Sequence, residues 1–197
     1  ASPSGNLYAS LLLVSPCAVE DSPKLGFVAG VALAEVVREL TLPGDLRLKW
    51  PNDLLIDGAK LSGLLLEGRA LQDGKQAVTI GIGLNVKVAP ELDGVRTTAL
   101  ADLGIGVGRR EIFRRLSNSM AHWLAVFAQG KGFYRVRDAW REASFAPGTP
   151  LTVKLAGGAR EGRFGGIDER GRLMLDTPQG VIHVDAGDVF LSESRGV

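Results

Sequence analysis

The sequence predicts an α+β fold, in which a mixed β-sheet packs against helices and a small all-β unit follows. Apolar, strand-like segments are interspersed with long stretches whose apolar residues recur at three-and-four spacing, as they do on helices that cover a sheet. The composition changes at Pro147-Gly148, after which short alternating segments are separated by evenly spaced turns. A chain of 197 residues with 45% apolar residues is large enough for one domain with a small appendage. We therefore expect two domains, residues 1–146 and 147–197.

Four strands and one helix are predicted in the first half of the chain. The strands cover residues 6–14, 46–50, 61–67 and 76–86. The first strand is mostly apolar, so we expect it to be buried on both faces. The helix begins at Ser22-Pro23, which combine a capping side chain with a proline suited to the first turn, and it ends at Pro43-Gly44. Asp57-Gly58 is a hairpin turn signal.

Two further helices and a five-stranded unit are predicted in the second half. Residues 87–108 are expected to be irregular. The next helix has one apolar face, formed by Ile112, Phe113, Leu116, Met120, Trp123, Leu124 and Phe127. A third helix is expected over residues 133–143, with Tyr134 and Trp140 packed in the core. Beyond residue 147, the turns AGGA, DERG and TPQG separate short strands, which predicts a small barrel of about five strands.

The composition excludes several classes of function. The formal net charge of +1 and the lack of a membrane-length apolar run predict no nucleic-acid or membrane partner. Cys17 is the only cysteine, which excludes an intrachain disulfide and a thiolate metal cluster. A single cysteine also suits a reducing compartment, and we expect the cytoplasm. His122 and His183 are too few for a histidine-rich metal site and lie in no nucleophile motif, so no protein metal ligands are predicted.

The segment KWPNDLLIDGAKLSGLLLEG, residues 49–68, is more polar than a hairpin between apolar strands requires. Strand alternation predicts one face with Lys60, Ser62, Leu64 and Leu66, and an opposite face with Leu61, Gly63, Leu65 and Glu67. A lysine at the mouth of a strand, with a glycine that permits close approach, could hold a small carboxylate or phosphate against an apolar floor. An ordinary hairpin with a solvent-facing lysine is the alternative that these residues alone leave open.

Three motifs together resemble those of the biotin protein ligases, in the same order and at suitable spacing. They are KWPND at residues 49–53, KLSGLLLE at residues 60–67 and GIGLN at residues 81–85. The last motif is weak by itself, because an isolated Gly-x-Gly is common. The opening SPSGNLYASLLL is similar to the strand that enters the family's catalytic domain, and FGGIDERGRLML is similar to part of its C-terminal domain. The resemblance covers nearly the whole chain.

The resemblance implies a biotin/lipoate ligase-like sheet domain, a C-terminal SH3-like barrel and an ATP-dependent ligase. Family members use Mg2+ bound to ATP, and they convert biotin and Mg·ATP into biotinyl-5′-AMP and pyrophosphate. They then transfer biotin to a lysine of a biotin carboxyl carrier protein. By resemblance, Lys60 is the catalytic residue and contacts the biotin carboxylate and the α-phosphate. The resemblance further implies biotin-side backbone contacts at Leu61 and Gly63, and nucleotide binding by Asn52, Asp53, Gly83 and Asn85. Asp53 would orient the phosphates or the magnesium ion.

Two features of the family are missing from this sequence. They are an arginine- and glycine-rich loop of the form GRGRxGR, expected shortly before the first strand, and an upstream Ser-Thr pair. We interpret the chain as a fragment of a competent ligase, because the other motifs are intact. The alternative is a truly truncated protein, in which phosphate binding would be poor and a sheet edge would lie open. The sequence also contains no helix-turn-helix like that of the family's repressor-type members.

The sequence leaves two other functions and one assembly open. A lipoate or octanoate ligase of the same superfamily would share the fold and the lysine chemistry, although KWPND and the β tail favour biotin. A non-catalytic module could bind biotin or a carrier domain without turnover. The sheet edge beside residues 64–81 could pair with a second subunit, which would make the protein a homodimer.

Overall fold

Five antiparallel strands form the first sheet. The computed structural model describes residues 3–40 and 44–191. The strand order is β1-β5-β4-β3-β2, and the strands are β1 (Leu7–Val14), β2 (Leu46–Lys49), β3 (Asp53–Ile56), β4 (Ala59–Ala70) and β5 (Gln76–Leu84). The four predicted strands are confirmed, and the turn at Asp57-Gly58 joins β4 to the additional strand β3. All strand pairs of this sheet are antiparallel, so the sheet is not mixed as predicted. Parallel pairing among the described residues is limited to isolated bridges.

The strand β1 is buried on one face only, so the prediction that both of its faces are buried is wrong. Tyr8, Leu12 and Val14 are each half or more exposed, and Ser10 on the same face is exposed as well. The alternate residues pack towards the core, namely Leu7, Ala9, Leu11 and Leu13. The physical reason is that the helices cover only one side of the sheet. The opposite side is therefore an open face on which a ligand can lie.

The helix α1 (Leu25–Leu40) covers the buried side of the sheet. It is apolar almost all round because it packs against the sheet and against both other long helices. The predicted start at Ser22-Pro23 is wrong, since these residues belong to a 3-10 turn (Val19–Lys24) before the helix. The Ser22 hydroxyl donates to Gln76 Oε1 at 2.9 Å and caps no helix N–H. The predicted end includes Pro43, which lies outside the described residues.

Helices α2 (Arg109–Phe127) and α3 (Phe133–Glu142) pack on the outer side of α1. The predicted apolar face of α2 is buried at Ile112, Leu116, Met120 and Phe127. Phe113 and Tyr134 are both 53% exposed, so their predicted burial is wrong. Each of them follows a buried residue and points about 100° away from it around the helix. Trp140 is buried as predicted.

No helix within the described ranges is long and apolar enough to cross a membrane.

The second sheet consists of five antiparallel strands, as predicted. They are β6 (Pro150–Leu155), β7 (Gly158–Ile167), β8 (Leu173–Thr177), β9 (Gly180–Val184) and β10 (Asp188–Leu191), in the order β10-β6-β7-β8-β9. Buried apolar residues alternate along β6 and β8, which gives the sheet one core-facing side. The α+β fold class, with a small SH3-like β unit at the end, is confirmed.

Aromatic side chains and one turn join the two sheets. The ring of Trp140 lies 5.5 Å from that of Phe27 on α1 and 6.4 Å from that of Phe164 on β7. The indole Nε1 of Trp50 donates to the carbonyl of Gly171, in the turn between β7 and β8, at 3.0 Å. Residues just before β3 are therefore fastened to the second sheet.

Candidate active site

A row of paired residues with two glycines at its centre crosses the open face of the first sheet. Asp53 on β3 pairs with Gly63 on β4, Gly63 pairs with Gly83 on β5, and Gly83 pairs with Tyr8 on β1. The two glycines leave the backbone uncovered between the carboxylate of Asp53 and the ring of Tyr8. We call this uncovered strip, formed by Gly63 and Gly83, the glycine shelf. A flat ligand can approach the backbone closely there.

A β-bulge places Lys60 above this shelf. Leu54 pairs with Ser62 but Leu55 pairs with Lys60, so Leu61 is an extra residue in β4. Leu61 and Ser62 are both buried, and Lys60 and Gly63 both lie on the open side. The prediction that Lys60 shares a face with Ser62 and Leu64 is therefore wrong. A Cβ atom on Gly63 would lie 3.4 Å from Lys60 Nζ, so the ammonium borders the shelf at Gly63.

Two lysines hold the carboxylate of Asp53. Lys60 Nζ lies 2.5 Å from Asp53 Oδ1, and Lys49 Nζ lies 3.2 Å from Asp53 Oδ2. The Asp53 side chain is only 11% exposed, and a carboxylate so far from water requires such partners. The Lys60 side chain is 27% exposed, so its ammonium remains accessible to a ligand on the shelf. The network thus fixes a cation in position without enclosing it.

Asn85 fastens the backbone around Lys60. Its backbone N–H donates to the carbonyl of Leu61 at 3.0 Å, and its Nδ2 donates to the carbonyl of Thr98 at 3.0 Å. Lys60 is bonded to the same loop, because its N–H donates to the carbonyl of Arg96 at 2.8 Å. The amide of Asn85 therefore supports the bulge that carries Lys60. The Leu61 carbonyl is occupied by this contact.

Asn52 lies on a different side of the segment. Its Nδ2 donates to the carbonyl of Leu64 at 2.6 Å, and its side chain lines a cavity of about 550 Å³ between the first sheet and the β7–β8 turn. Neither Lys60 nor Asn85 is among the residues that line this cavity. The structure thus brings Lys60, Asp53, Gly63 and Gly83 together, with Asn85 beneath them and Asn52 at a neighbouring cavity.

The turn between β7 and β8 is ordered by a buried carboxylate. Asp168 accepts hydrogen bonds from the backbone N–H groups of Arg170 and Arg172, from Arg172 Nε at 2.8 Å, and contacts His183 Nδ1 at 2.9 Å. Burial raises the pKa of the Asp168 carboxyl, but these hydrogen bonds outweigh that effect and hold the pKa below its ordinary value. The anchored turn presents Arg170 and Arg172 to the cavity that Asn52 lines.

Sequence reasoning did not assign a role to Lys49 or to the second sheet. Lys49 Nζ also donates to the carbonyl of Val189 on β10 at 3.1 Å. Its position within KWPND was the only sequence signal, because Val189 is 140 residues further along the chain. The side chain of Lys49 therefore connects the second sheet to the Asp53–Lys60 pair.

Family comparisons identify the class to which this fold and site belong. Residues 1–85 match the Biotin/lipoate A/B protein ligase family, and residues 148–192 match the Biotin protein ligase C terminal domain. The first match ends at Asn85 and so contains all the predicted site residues. The class is that of the biotin and lipoate protein ligases.

Individual relatives narrow this class. The biotin--[acetyl-CoA-carboxylase] ligase of Paracoccus denitrificans is 33% identical over 195 residues, which cover 95% of this chain and 81% of that protein. The bifunctional ligase/repressor BirA of Bacillus subtilis is 29% identical over 199 residues, covering 94% of this chain and 58% of that protein. The biotin protein ligase of Aquifex aeolicus in complex with biotin and ATP has a TM-score of 0.79 at 27% identity, covering 95% of this chain and 79% of that one. This chain belongs to the biotin protein ligase family.

Proposed function

We propose that this chain is an ATP-dependent biotin protein ligase that attaches biotin to a lysine of a biotin carboxyl carrier protein. Family membership supports the reaction, since the relative from Paracoccus denitrificans is a biotin--[acetyl-CoA-carboxylase] ligase. The likeness to an Aquifex aeolicus structure that contains biotin and ATP supports both substrates. The single observation that carries the proposal is the accessible ammonium of Lys60, held above two adjacent glycines by the carboxylate of Asp53.

In the first step, a carboxylate oxygen of biotin attacks the α-phosphorus of ATP. The bond from this phosphorus to the β-phosphoryl oxygen breaks, and pyrophosphate leaves with the bonding electron pair. Both reacting groups are anionic, so their approach is opposed by charge repulsion. In this proposal the Lys60 ammonium contacts both groups and stabilises the charge that builds up on the α-phosphate oxygens. Because Asp53 already fixes it, little reorganisation is needed when the substrates bind.

In the second step, the amine of the acceptor lysine attacks the acyl carbon of biotinyl-5′-AMP. The new C–N bond forms, the acyl C–O bond breaks, AMP leaves with the electron pair, and the amine loses a proton. Lys60 again faces the negative phosphate of the leaving group. We assign biotin-side backbone contacts to Leu61 and Gly63. We assign nucleotide contacts to Asn52, Asp53, Gly83 and Asn85, and we expect the adenylate to lie on the glycine shelf.

Magnesium enters this scheme as part of the substrate Mg·ATP. Among the described residues, no group of three metal-ligating side chains lies close enough together to hold an ion. Mg2+ is commonly bound by one or two carboxylates together with substrate phosphates, and Asp53 is the carboxylate nearest to Lys60. The chemistry of the site thus fits an ion that arrives with ATP, and Asp53 would orient it.

Replacing Lys60 with methionine in the full-length protein tests the proposal. We expect biotin-dependent ATP–pyrophosphate exchange to fall by about 10²- to 10³-fold, because one preorganised donor is lost. Lys131→Met, at an exposed site between α2 and α3, makes the same change of charge and should retain the activity. Exchange that depends on lipoate and not on biotin would contradict the choice of substrate. Biotin binding without any exchange by the unmodified protein would indicate a non-catalytic module.

A free backbone edge supports the homodimer as a separate proposal. β3 pairs with β4 only as far as Gly63, so residues 65–70 of β4 are paired on one side only within the described chain. Such an edge can accept a strand from a second copy. A mass equal to one chain by light scattering at high protein concentration would exclude this assembly.

We also propose the domain boundary between residues 146 and 147, and a cytoplasmic location, which the free thiol of Cys17 favours.

A further inference from the structure

Asn6 is a buried residue whose side-chain oxygen accepts hydrogen bonds from three successive backbone N–H groups. It is 5% exposed and comes directly before β1. Its Oδ1 accepts from the N–H groups of Val86, Lys87 and Val88, at 3.0, 2.9 and 3.1 Å. Its Nδ2 donates to the carbonyl of Val88 at 2.8 Å. One side chain therefore binds four backbone groups of residues 86–88, which we call the 86–88 turn.

Gly5 permits the close approach of Asn6 to this turn. Gly5 has a φ of +102°, and a Cβ atom there would lie 2.7 Å from Lys87 Cδ. Glycine suits the position on both counts. Leu7 then pairs with Leu84, so the start of β1 lies beside the end of β5 and the Asn6 side chain fits between them. Gly5 and Asn6 lie outside the three motifs that resemble the ligase family.

The 86–88 turn begins a loop whose two ends both hold the backbone around Lys60. At its start, the backbone N–H of Asn85 is bonded to the bulge in β4. At its end, the carbonyl of Arg96 accepts from the N–H of Lys60 at 2.8 Å, and the N–H of Thr98 donates to the carbonyl of Lys60 at 3.0 Å. Both backbone polar groups of Lys60 are thus bonded to this loop. A displacement of the loop would therefore displace the lysine.

Hydrogen bonds at its base fix this loop, because much of the loop is exposed. Val88 and Leu92 are both exposed large apolar residues. A segment with few packed contacts opens easily, so its conformation depends on the bonds at its ends. Asn6 supplies four of these bonds. Its Nδ2 also lies 3.5 Å from the hydroxyl of Tyr8, whose ring borders the glycine shelf at Gly83.

We propose that Asn6 is a positioning residue of the ligase reaction, which keeps Lys60 in place through the loop of residues 86–98. This inference rests on the proposed function, because it assigns the chemistry to the Lys60 ammonium. Without the Asn6 oxygen, three converging N–H groups lose their common acceptor, and the turn must rearrange to find others. Asn85 and the backbone of Lys60 would move with it. Lys60 faces a phosphate in both steps, so both half-reactions depend on Asn6.

Asn6→Leu in the full-length protein provides the test, with Gln76→Leu as the matched control. Gln76 is also a buried amide, 8% exposed, and it binds a loop at the opposite end of β5, where its Nε2 donates to the carbonyl of Cys17 at 2.8 Å. Both variants lose buried hydrogen bonds, so both should have a lower melting temperature. At a temperature where both are folded, kcat should fall by about 10- to 100-fold in both half-reactions of Asn6→Leu and stay within about twofold in Gln76→Leu.

Two further measurements separate positioning from general stability. Asn6→Asp keeps an oxygen for the three N–H groups, which favour a negative charge, but cannot donate to the Val88 carbonyl. It should recover at least about tenfold of the activity lost in Asn6→Leu. Amide hydrogen exchange reports the arrangement without any turnover. The N–H groups of Lys60 and Thr98, which Asn6 does not bond, should exchange faster in Asn6→Leu than in Gln76→Leu.

Three outcomes would overturn the inference. They are equal kcat values in Asn6→Leu and Gln76→Leu, an Asn6→Asp variant as inactive as Asn6→Leu, and unchanged amide exchange at Lys60 and Thr98. If the unmodified protein shows no biotin-dependent exchange of ATP and pyrophosphate, the proposed function has failed, and amide exchange alone decides the role of Asn6. Faster exchange at Lys60 and Thr98 in Asn6→Leu then still supports it, and equal exchange in the two variants rejects it.

Discussion

Replacing Gly63 with alanine tests whether Lys60 acts from directly above β4. A Cβ atom at residue 63 would lie 3.3 Å from Lys60 Cε, 3.4 Å from Lys60 Nζ and 3.7 Å from Asp53 Oδ1. The first two separations are tighter than ordinary contact, so the end of the lysine must move by a few tenths of an ångström. The new methyl group would also occupy the surface that a ligand approaches. Since a flexible side chain yields easily and alanine is favoured over glycine in a strand by roughly 0.5–1 kcal/mol, the fold should not weaken.

The predicted signature is a loss of activity without a loss of stability. We expect biotin-dependent ATP–pyrophosphate exchange to fall by about 10- to 100-fold, because small displacements of a catalytic group are costly, while the melting temperature stays unchanged or rises. Gly68→Ala is the matched control, since it lies in the same strand and its Cβ would meet nothing within 4 Å. Equal exchange rates in the two variants would refute the reasoning, and so would a melting temperature that falls in step with the activity of Gly63→Ala.

Three further predictions concern the joint between the sheets. Gly171→Ala should destabilise the protein to urea by about 1–3 kcal/mol, because residue 171 has a φ of +80° and its Cβ would lie 2.6 Å from Phe27 Cε2. Trp140→Ala should cost about 3–5 kcal/mol in the same assay, since this ring is buried between both sheets. The lowered pKa of Asp168 means that its contribution is complete above the ordinary carboxyl pKa and is lost as the pH falls through the lowered value. Urea midpoints measured from pH 6 to pH 3 should therefore converge for Asp168→Asn and the unmodified protein, and a constant difference would contradict this.

Much of the fold could be predicted because its signals are local. The turn at Asp57-Gly58 needs residues that tolerate positive φ, and both residues adopt it, at 48° and 73°. The apolar stripe of α2 and the short strands of the second sheet likewise follow from spacing within ten or so residues. Errors occurred where exposure depends on elements far away in the chain. β1 has the composition of a fully buried strand, yet Leu12 is exposed because no described element covers its outer side.

The position of Lys60 relative to the sheet could not be predicted for a related reason. An inserted residue shifts the alternation of a strand by one position, but in KLSGLLLE the shift is hidden because Ser62 is polar yet buried and Leu65 is apolar yet exposed. The bulge at Leu61 is visible only in the register with β3, where Leu54 and Leu55 pair with residues two apart. The motif therefore identified the lysine, and the pairing of a different strand determined its neighbours.

The KWPND segment is held at two points by the second sheet and its β7–β8 turn, which therefore support the candidate active site. Lys49 reaches the carbonyl of Val189 on β10, and the next residue, Trp50, reaches the carbonyl of Gly171 in the β7–β8 turn. Asp53 follows three residues later and holds Lys60. A shift of the second sheet would move Lys49 and Trp50, and with them the carboxylate that fixes the ammonium. Variants that loosen this joint, such as Gly171→Ala, should therefore lower the exchange rate at temperatures where the protein is still folded, whereas Gly68→Ala should not.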